Sequence, residues 1–221
     1  MKLTRGFWAK ADGGEAEILL YETIGKDWYG GISAKRFKDE LTALGNVTTL
    51  TVRINSPGGD VFDGTAIYNT LVQHKAVIHV RIDGLAASIA SLIAMAGNTI
   101  EIAENGMLMV HQASAVVIGN KSDMRKMADI LDKVDDNIVS TYVGRTEQEE
   151  GVVRGWMNEE TWFTGQEAVD AGFATSVLPV KAVDNAFDLS RFRNAPTRKE
   201  AEFIAEQQLH QMRLRLAMAM R

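Results

Sequence analysis

Residues 48–60, TTLTVRINSPGGD, carry an alternating apolar pattern straight into a proline and two consecutive glycines. A period of two marks a strand with one buried face, and it puts Leu50, Val52 and Ile54 on the same side. Pro-Gly-Gly ends such a strand, since proline lacks the N–H that a ladder needs and glycine reaches positive φ. The next residues, roughly 61–74, have helical spacing, with Phe62, Ile67 and Leu71 expected inward. Strand, small-residue turn and helix thus follow one another without a spacer. The pattern recurs in AVIHVRID (76–83), which leads through GLAAS into the short apolar helix SIASLIAMAG.

The remaining segments fit the same rhythm. EAEILLY (15–21) reads as a first strand, and GGISAKRFKDELTALG as a helix capped by Ser33 with Phe37, Leu41 and Leu44 on one face. TIEIA (99–103) and MLMVHQ (107–112) read as strands. A long helix starts at about Ser122, its apolar stripe made of Met127, Ile130, Leu131, Val134 and Ile138. Near 164–177 a short helix ends at Gly172 and a closing strand follows. Alternating strands and helices predict an α/β domain with crossover connections. That domain is assigned to residues 1–180, with a linker over 181–199. An amphipathic helix is assigned to 200–221, where Ala205, Leu209, Met212, Leu216 and Ala219 recur every three or four residues.

Composition removes several function classes. The 221 residues include no cysteine, which rules out disulfides and thiolate chemistry. A net charge of −5 gives no global reason to bind nucleic acid. No run approaches a membrane span, and the N-terminal residues lack the apolar core of a secretory signal, so a cytoplasmic protein is expected. Of the four histidines, only His111 stands at the end of an apolar strand facing polar residues.

Four features could carry chemistry. Ser88 stands where a strand ends and a helix begins; it is read either as a simple N-cap or as a nucleophile in the field of the helix N-terminus. Ser91, one turn later, is expected to point into packing. NSPGGD is either an ordinary turn or a cradle whose free amides accept an oxyanion or a phosphate, and the lysine-serine/threonine ending of a P-loop is missing. His111 is a general base or a hydrogen-bonded histidine at the sheet boundary. NEETWFTGQEA (158–168) offers two carboxylates, Glu159 and Glu160, to orient a histidine, or else an exposed acidic helix start.

In combination and order, NSPGGDVFDGTAIYNTL, GLAASIASLIAMAG, MLMVHQ and ETWFTGQEAVDAGFA resemble the ClpP-type serine peptidases over about residues 15–178. Within that family, INSPGGDVFDG, HVRIDGLAAS, GNKSDMRKMADILDKVDDNI and ETWFTGQEAVDAGFA are most similar to the phage head-maturation proteases, which trim capsid or scaffold protein. The resemblance implies a crotonase-like α/β fold of repeated β-β-α units with a protruding handle helix at about 122–145. It implies Ser88 as nucleophile, His111 as base, and Gly59 and Ile89 as amide donors to the oxyanion, with Gly58 shaping the turn. The acid falls on Glu160, where the family has aspartate; Glu159 is the rival. The segment containing Ser114, Ala115 and Val116 would pair with substrate as an added strand. Neither a metal nor another cofactor is required. The implied partners are a polypeptide substrate and further copies of the chain, in a ring, and the implied location is the host cytoplasm or the interior of a phage prohead. Three rivals stand beside this reading: a degradative subunit fed by an ATPase, a crotonase-type acyl-CoA enzyme, and a non-catalytic capsid component.

Overall fold

The computed structural model describes residues 7–25, 31–179 and 187–196. The sequence expectation of a helix over 200–221 lies outside these residues. Two strands, β1 (Phe7–Asp12) and β2 (Glu15–Leu20), form an antiparallel hairpin. From β2 the sheet continues in parallel through β3 (Thr49–Ser56), β4 (Val77–Ala87), β5 (Thr99–Ala103) and, at its far edge, β8 (Ser176–Leu178). The connections from β2 to β3, β3 to β4 and β4 to β5 run through α1 (Ala34–Ala43), α2 (Val61–Val72) and α3 (Ile89–Ala94). This is the mixed α/β architecture expected from the alternating pattern.

The sheet forks at β4. Its first half pairs with β5 (His79↔Thr99 to Ile82↔Ile102), whereas Leu85–Ala87 pair with β6 (Met107–Val110). Strand β7 (Thr161–Thr164) then adds to β6 in antiparallel register. The strand expected to stop at Asp83 therefore runs four residues further, through Gly84, Leu85, Ala86 and Ala87. Small side chains make this extension possible, because residues 83–87 are buried throughout. Register slips between Ile54 and Ser56, and there the Asn55 side chain takes over from the ladder, accepting from the Leu85 amide at 3.1 Å.

Leu50, Val52 and Ile54 are fully buried, as their alternation predicts, beside Ile78, Val80 and Ile82 of β4. Phe37 and Leu41 of α1, Ile67 and Leu71 of α2, and every residue of α3 cover this face. Ser33 caps α1 by accepting from the Arg36 amide. One expected core residue is corrected: Phe62 is 69% exposed. It precedes Ile67 by five residues, about 140° round the helix, so it cannot share the Gly64–Ile67–Leu71 face.

The long helix is α4 (Lys121–Thr146), opened by an Asn120–Asp123 capping box. Its first three turns are mostly exposed, and only from Asp135 onward is a face buried, at Ile138, Val139, Tyr142 and Thr146. It therefore projects from the domain, as a handle would. Strand β1, α5 (Glu150–Glu159) and β7 were not anticipated. The last helix among the described residues, α6 (Gly165–Asp170), is followed by Gly172 at φ 87°. Among the described residues no helix is long and apolar enough to cross a membrane.

Candidate active site

Three strand registers bring distant motifs to one end of the sheet. Ala87 of β4 pairs with Met109 of β6, so Ser88 and His111 emerge side by side at the strands' C-terminal ends. Val110 pairs with Thr161, so Glu160, just before β7, lies opposite His111, just after β6. Ser56 pairs with Ala86, which sets Pro57, Gly58 and Gly59 beside Ser88. In open parallel sheets this carboxyl end is where ligands bind.

Ser88 occupies the N-cap position of α3 but makes no side-chain cap bond. Its Oγ lies 2.8 Å from Nε2 of His111 instead. The capping alternative is thereby set aside. Ser88 also holds φ 56° and ψ −132°, a conformation rarely adopted by residues with a side chain and one that costs about 1–3 kcal/mol. Neighbouring bonds support it: the Ser88 amide donates to Met109 O at 3.0 Å, and Ser88 O accepts from Ser91 N at 2.9 Å and from the Ser91 hydroxyl. Ser91 is fully buried, as expected, and also meets the Tyr142 hydroxyl at 2.8 Å.

The glycine turn is pressed against this serine. Gly58 sits at φ +82°, and a Cβ there would lie 2.6 Å from Ala87 O and 2.7 Å from Ser88 Cβ. A Cβ on Gly59 would lie 2.0 Å from Ile24 O. Ile24 N donates to Gly58 O and Asp60 N to Ile24 O, both at 2.9 Å, which pins the turn from its far side. The Ser56 hydroxyl accepts from Gly58 N at 3.2 Å and donates to Glu22 O at 2.6 Å. Asp60 caps α2, accepting from Phe62 N and Asp63 N. Gly59 and Ile89 both line the same cleft as Ser88.

His111 is held below its usual pKa, chiefly by burial; the Glu160 charge pulls it back up and Arg191 pushes it down again. Glu160 is 8% exposed and ends α5 in the left-handed conformation, φ 53°. It thus sits at a helix end rather than the acidic helix start considered from sequence. Its carboxylate accepts from Arg193 N at 2.9 Å, from Asn194 N, and from Trp162 Nε1 at 3.4 Å. Glu159, the rival acid, is exposed.

The cleft has a volume of about 780 Å³. Ser88, His111 and Glu160 stand on one side, and the α4 stripe Met127, Ile130, Leu131, Val134 and Ile138 forms the apolar wall. Ser114 and Ala115 line it, whereas Val116 is 94% exposed and lies outside. Gly58 lies beneath Ser88 rather than in the wall. Arg191, Phe192 and Arg193 also line the cleft, although the sequence placed them in a linker. The only signal there was Arg-Phe-Arg, a large aromatic in a polar stretch. Among the described residues no three histidine or acidic side chains converge on a metal site.

Residues 14–181 match the Clp protease family. The chain is 33% identical over 134 residues to an ATP-dependent Clp protease proteolytic subunit 1 of Prochlorococcus marinus subsp. pastoris, covering 60% of this chain and 68% of that protein. It is 32% identical over 127 residues to an ATP-dependent Clp protease proteolytic subunit of Deinococcus radiodurans, covering 57% and 62%. The chain thus spans about two thirds of the length of these relatives. With a serine–histidine pair at the carboxyl end of a forked α/β sheet and a family match over most of its length, the chain belongs to the Clp protease family, a family of serine-type peptidases.

Proposed function

We propose that this chain is a serine endopeptidase in which Ser88 is the nucleophile, His111 the general base and Glu160 the acid that orients it. The observation that carries the reading is the 2.8 Å contact between Ser88 Oγ and His111 Nε2, made by a serine in a strained conformation that forgoes the cap bond open to it. With Nδ1 protonated, Nε2 of His111 accepts the hydroxyl proton as Oγ attacks a peptide carbonyl. The carbonyl π electrons move onto oxygen, and the amides of Gly59 and Ile89 donate to that oxyanion. His111 then gives its proton to the leaving amine as the C–N bond breaks. Water, activated by the same nitrogen, releases the acyl group and restores Ser88. Burial that keeps His111 neutral suits it to act as a base near neutral pH. Glutamate has a longer arm than aspartate, and its main chain at Glu160 is bent back into the left-handed region at the helix end.

The experiment is labelling with a fluorophosphonate probe. Wild type should label, and Ser88→Ala and His111→Ala should lose it. Labelling that survives in Ser88→Ala refutes the assignment, and an unlabelled wild type favours the acyl-CoA or non-catalytic readings.

Two settings rest on separate observations. Processing of phage capsid or scaffold protein is supported by the four segments that resemble head-maturation proteases. A degradative subunit working with an ATPase is supported by the relatives, both proteolytic subunits of ATP-dependent Clp proteases. Cleavage of a scaffold protein without ATP supports the first; ATPase-dependent degradation of unfolded protein supports the second. The second implies an enzyme of the cytoplasm, and the first an enzyme of the host cytoplasm or the prohead interior. Assembly of several copies into a ring is part of the proposal, supported by an apolar side chain left open on α4 outside the cleft, Met124, which is 52% exposed.

A further inference from the structure

Residues 187–196 take no part in the mechanism above, yet they are fastened to His111, to Glu160 and to the start of the glycine turn. The Phe192 ring is 7% exposed in a pocket built with Leu85, Ala87, Met109 and Trp162, from the strands that deliver Ser88 and His111. It meets the His111 ring edge-on, 5.4 Å between centroids at 87°. Arg191 Nη2 donates to Pro57 O at 2.6 Å, at the start of the glycine turn. The next two amides, of Arg193 and Asn194, donate one to each oxygen of the Glu160 carboxylate. Asn194 Nδ2 donates to Glu159 O, and Arg193 Nη2 to Asn158 O at 3.1 Å, which holds the segment to the end of α5.

Four consecutive residues therefore tie together the glycine turn, the face of the histidine and the acid. Without them, Glu160 would keep only its 3.4 Å contact to Trp162 Nε1 among these bonds, and its carboxylate could turn away from His111. We propose that residues 191–194 are a positioning strap: the Arg193 and Asn194 amides hold the Glu160 carboxylate beside His111, and Phe192 keeps water off the imidazole. This rests on the serine peptidase reading. The strap is not a plug. Phe192 packs on Leu85, Ala87 and Met109, the Ser88–His111 contact is intact, and the cleft toward α4 stays open. The charged groups around His111 are Glu160 at the end of α5, Arg191 and Arg193 on the strap, and Asp60 across the cleft at the start of α2.

The test follows the His111 imidazole by NMR through a pH titration of the full chain, together with the pH dependence of fluorophosphonate labelling. Phe192→Ala admits water to the ring. His111 should then titrate at higher pH, the acid limb of labelling should move the same way, and labelling below neutrality should fall about tenfold or more. Phe192→Leu refills the pocket and should recover most of both. Arg193→Pro removes one donor to Glu160 and should slow labelling across the whole pH range. Faster labelling in Phe192→Ala, or after truncation at residue 186, would overturn the proposal in favour of an inhibitory plug. An unchanged His111 titration in Phe192→Ala would overturn it as well. If the titration moves while wild type never labels, the strap stands as a shield for His111 and the peptidase reading fails.

Discussion

Adding one methyl group at Gly58 should disable the site. In Gly58→Ala the new Cβ would lie 2.6 Å from Ala87 O, 2.7 Å from Ser88 Cβ and 3.1 Å from Ile89 N. Ordinary contact begins near 3.4 Å, so the glycine turn and the Ser88 turn must part by about 0.8 Å. The flexible end of a side chain could yield, but two of these three atoms are backbone. The residue must also hold φ +82°, which costs about 1–3 kcal/mol once a Cβ is present. For a domain of this size that is a fall in Tm of about 2–4 °C per kcal/mol. The larger effect is on chemistry. A displacement approaching 1 Å between nucleophile and oxyanion donors costs about 100-fold in rate, or about 2.7 kcal/mol of barrier. Fluorophosphonate labelling rates measured well below the melting temperature of the variant would separate the two effects. A folded Gly58→Ala protein that labels at the wild-type rate would refute the argument that this close approach sets the site.

The pH dependence of stability has a definite sign at His111. Its folded pKa lies below the ordinary value, so between the two the unfolded chain binds more protons and stability rises with pH, then is lost as pH falls through that window. His111→Gln should flatten this component, seen as a smaller difference in urea midpoint between about pH 5 and about pH 8; an unchanged difference would exclude His111 as its source. Asp83→Asn should lower stability by about 2 kcal/mol, measured by urea unfolding. The Asp83 carboxylate accepts from Tyr21 Oη and Arg53 Nε, both at 2.6 Å, and its side chain is 5% exposed. A midpoint that does not move would mean that the 28% exposed Arg53 is satisfied by water.

Much of this protein was legible from residue pattern. Period-two alternation located β3 and the first half of β4 because a sheet with one buried face must alternate, and the Pro57-Gly58-Gly59 cluster marked where β3 ends. The order of four short motifs identified the family and put Ser88, His111, Gly59, Ile89 and Glu160 in one cleft. Pattern failed where partners decided the outcome. Phe62 looked inward on spacing alone, but the Gly64–Ile67–Leu71 face was taken by the core. The chain from Gly84 to Ala87 was read only as the link from strand to helix, yet a second strand, β6, was there to pair with Leu85–Ala87.

Ser88 shows the division most clearly. By itself the sequence determined that a small residue stands between strand and helix, a position that on its own favours a simple cap over a nucleophile. Only the tertiary structure decided which hydrogen bond its hydroxyl makes, because that depends on what lies across from it, and the β4–β6 register put His111 there. Glu160 and Glu159 are chemically alike, and the fold buries Glu160 in the cleft that His111 lines while it leaves Glu159 exposed. The strap is the extreme case. Its grip on Glu160 runs through backbone amides, which every residue but proline possesses, so no choice of side chains could announce it.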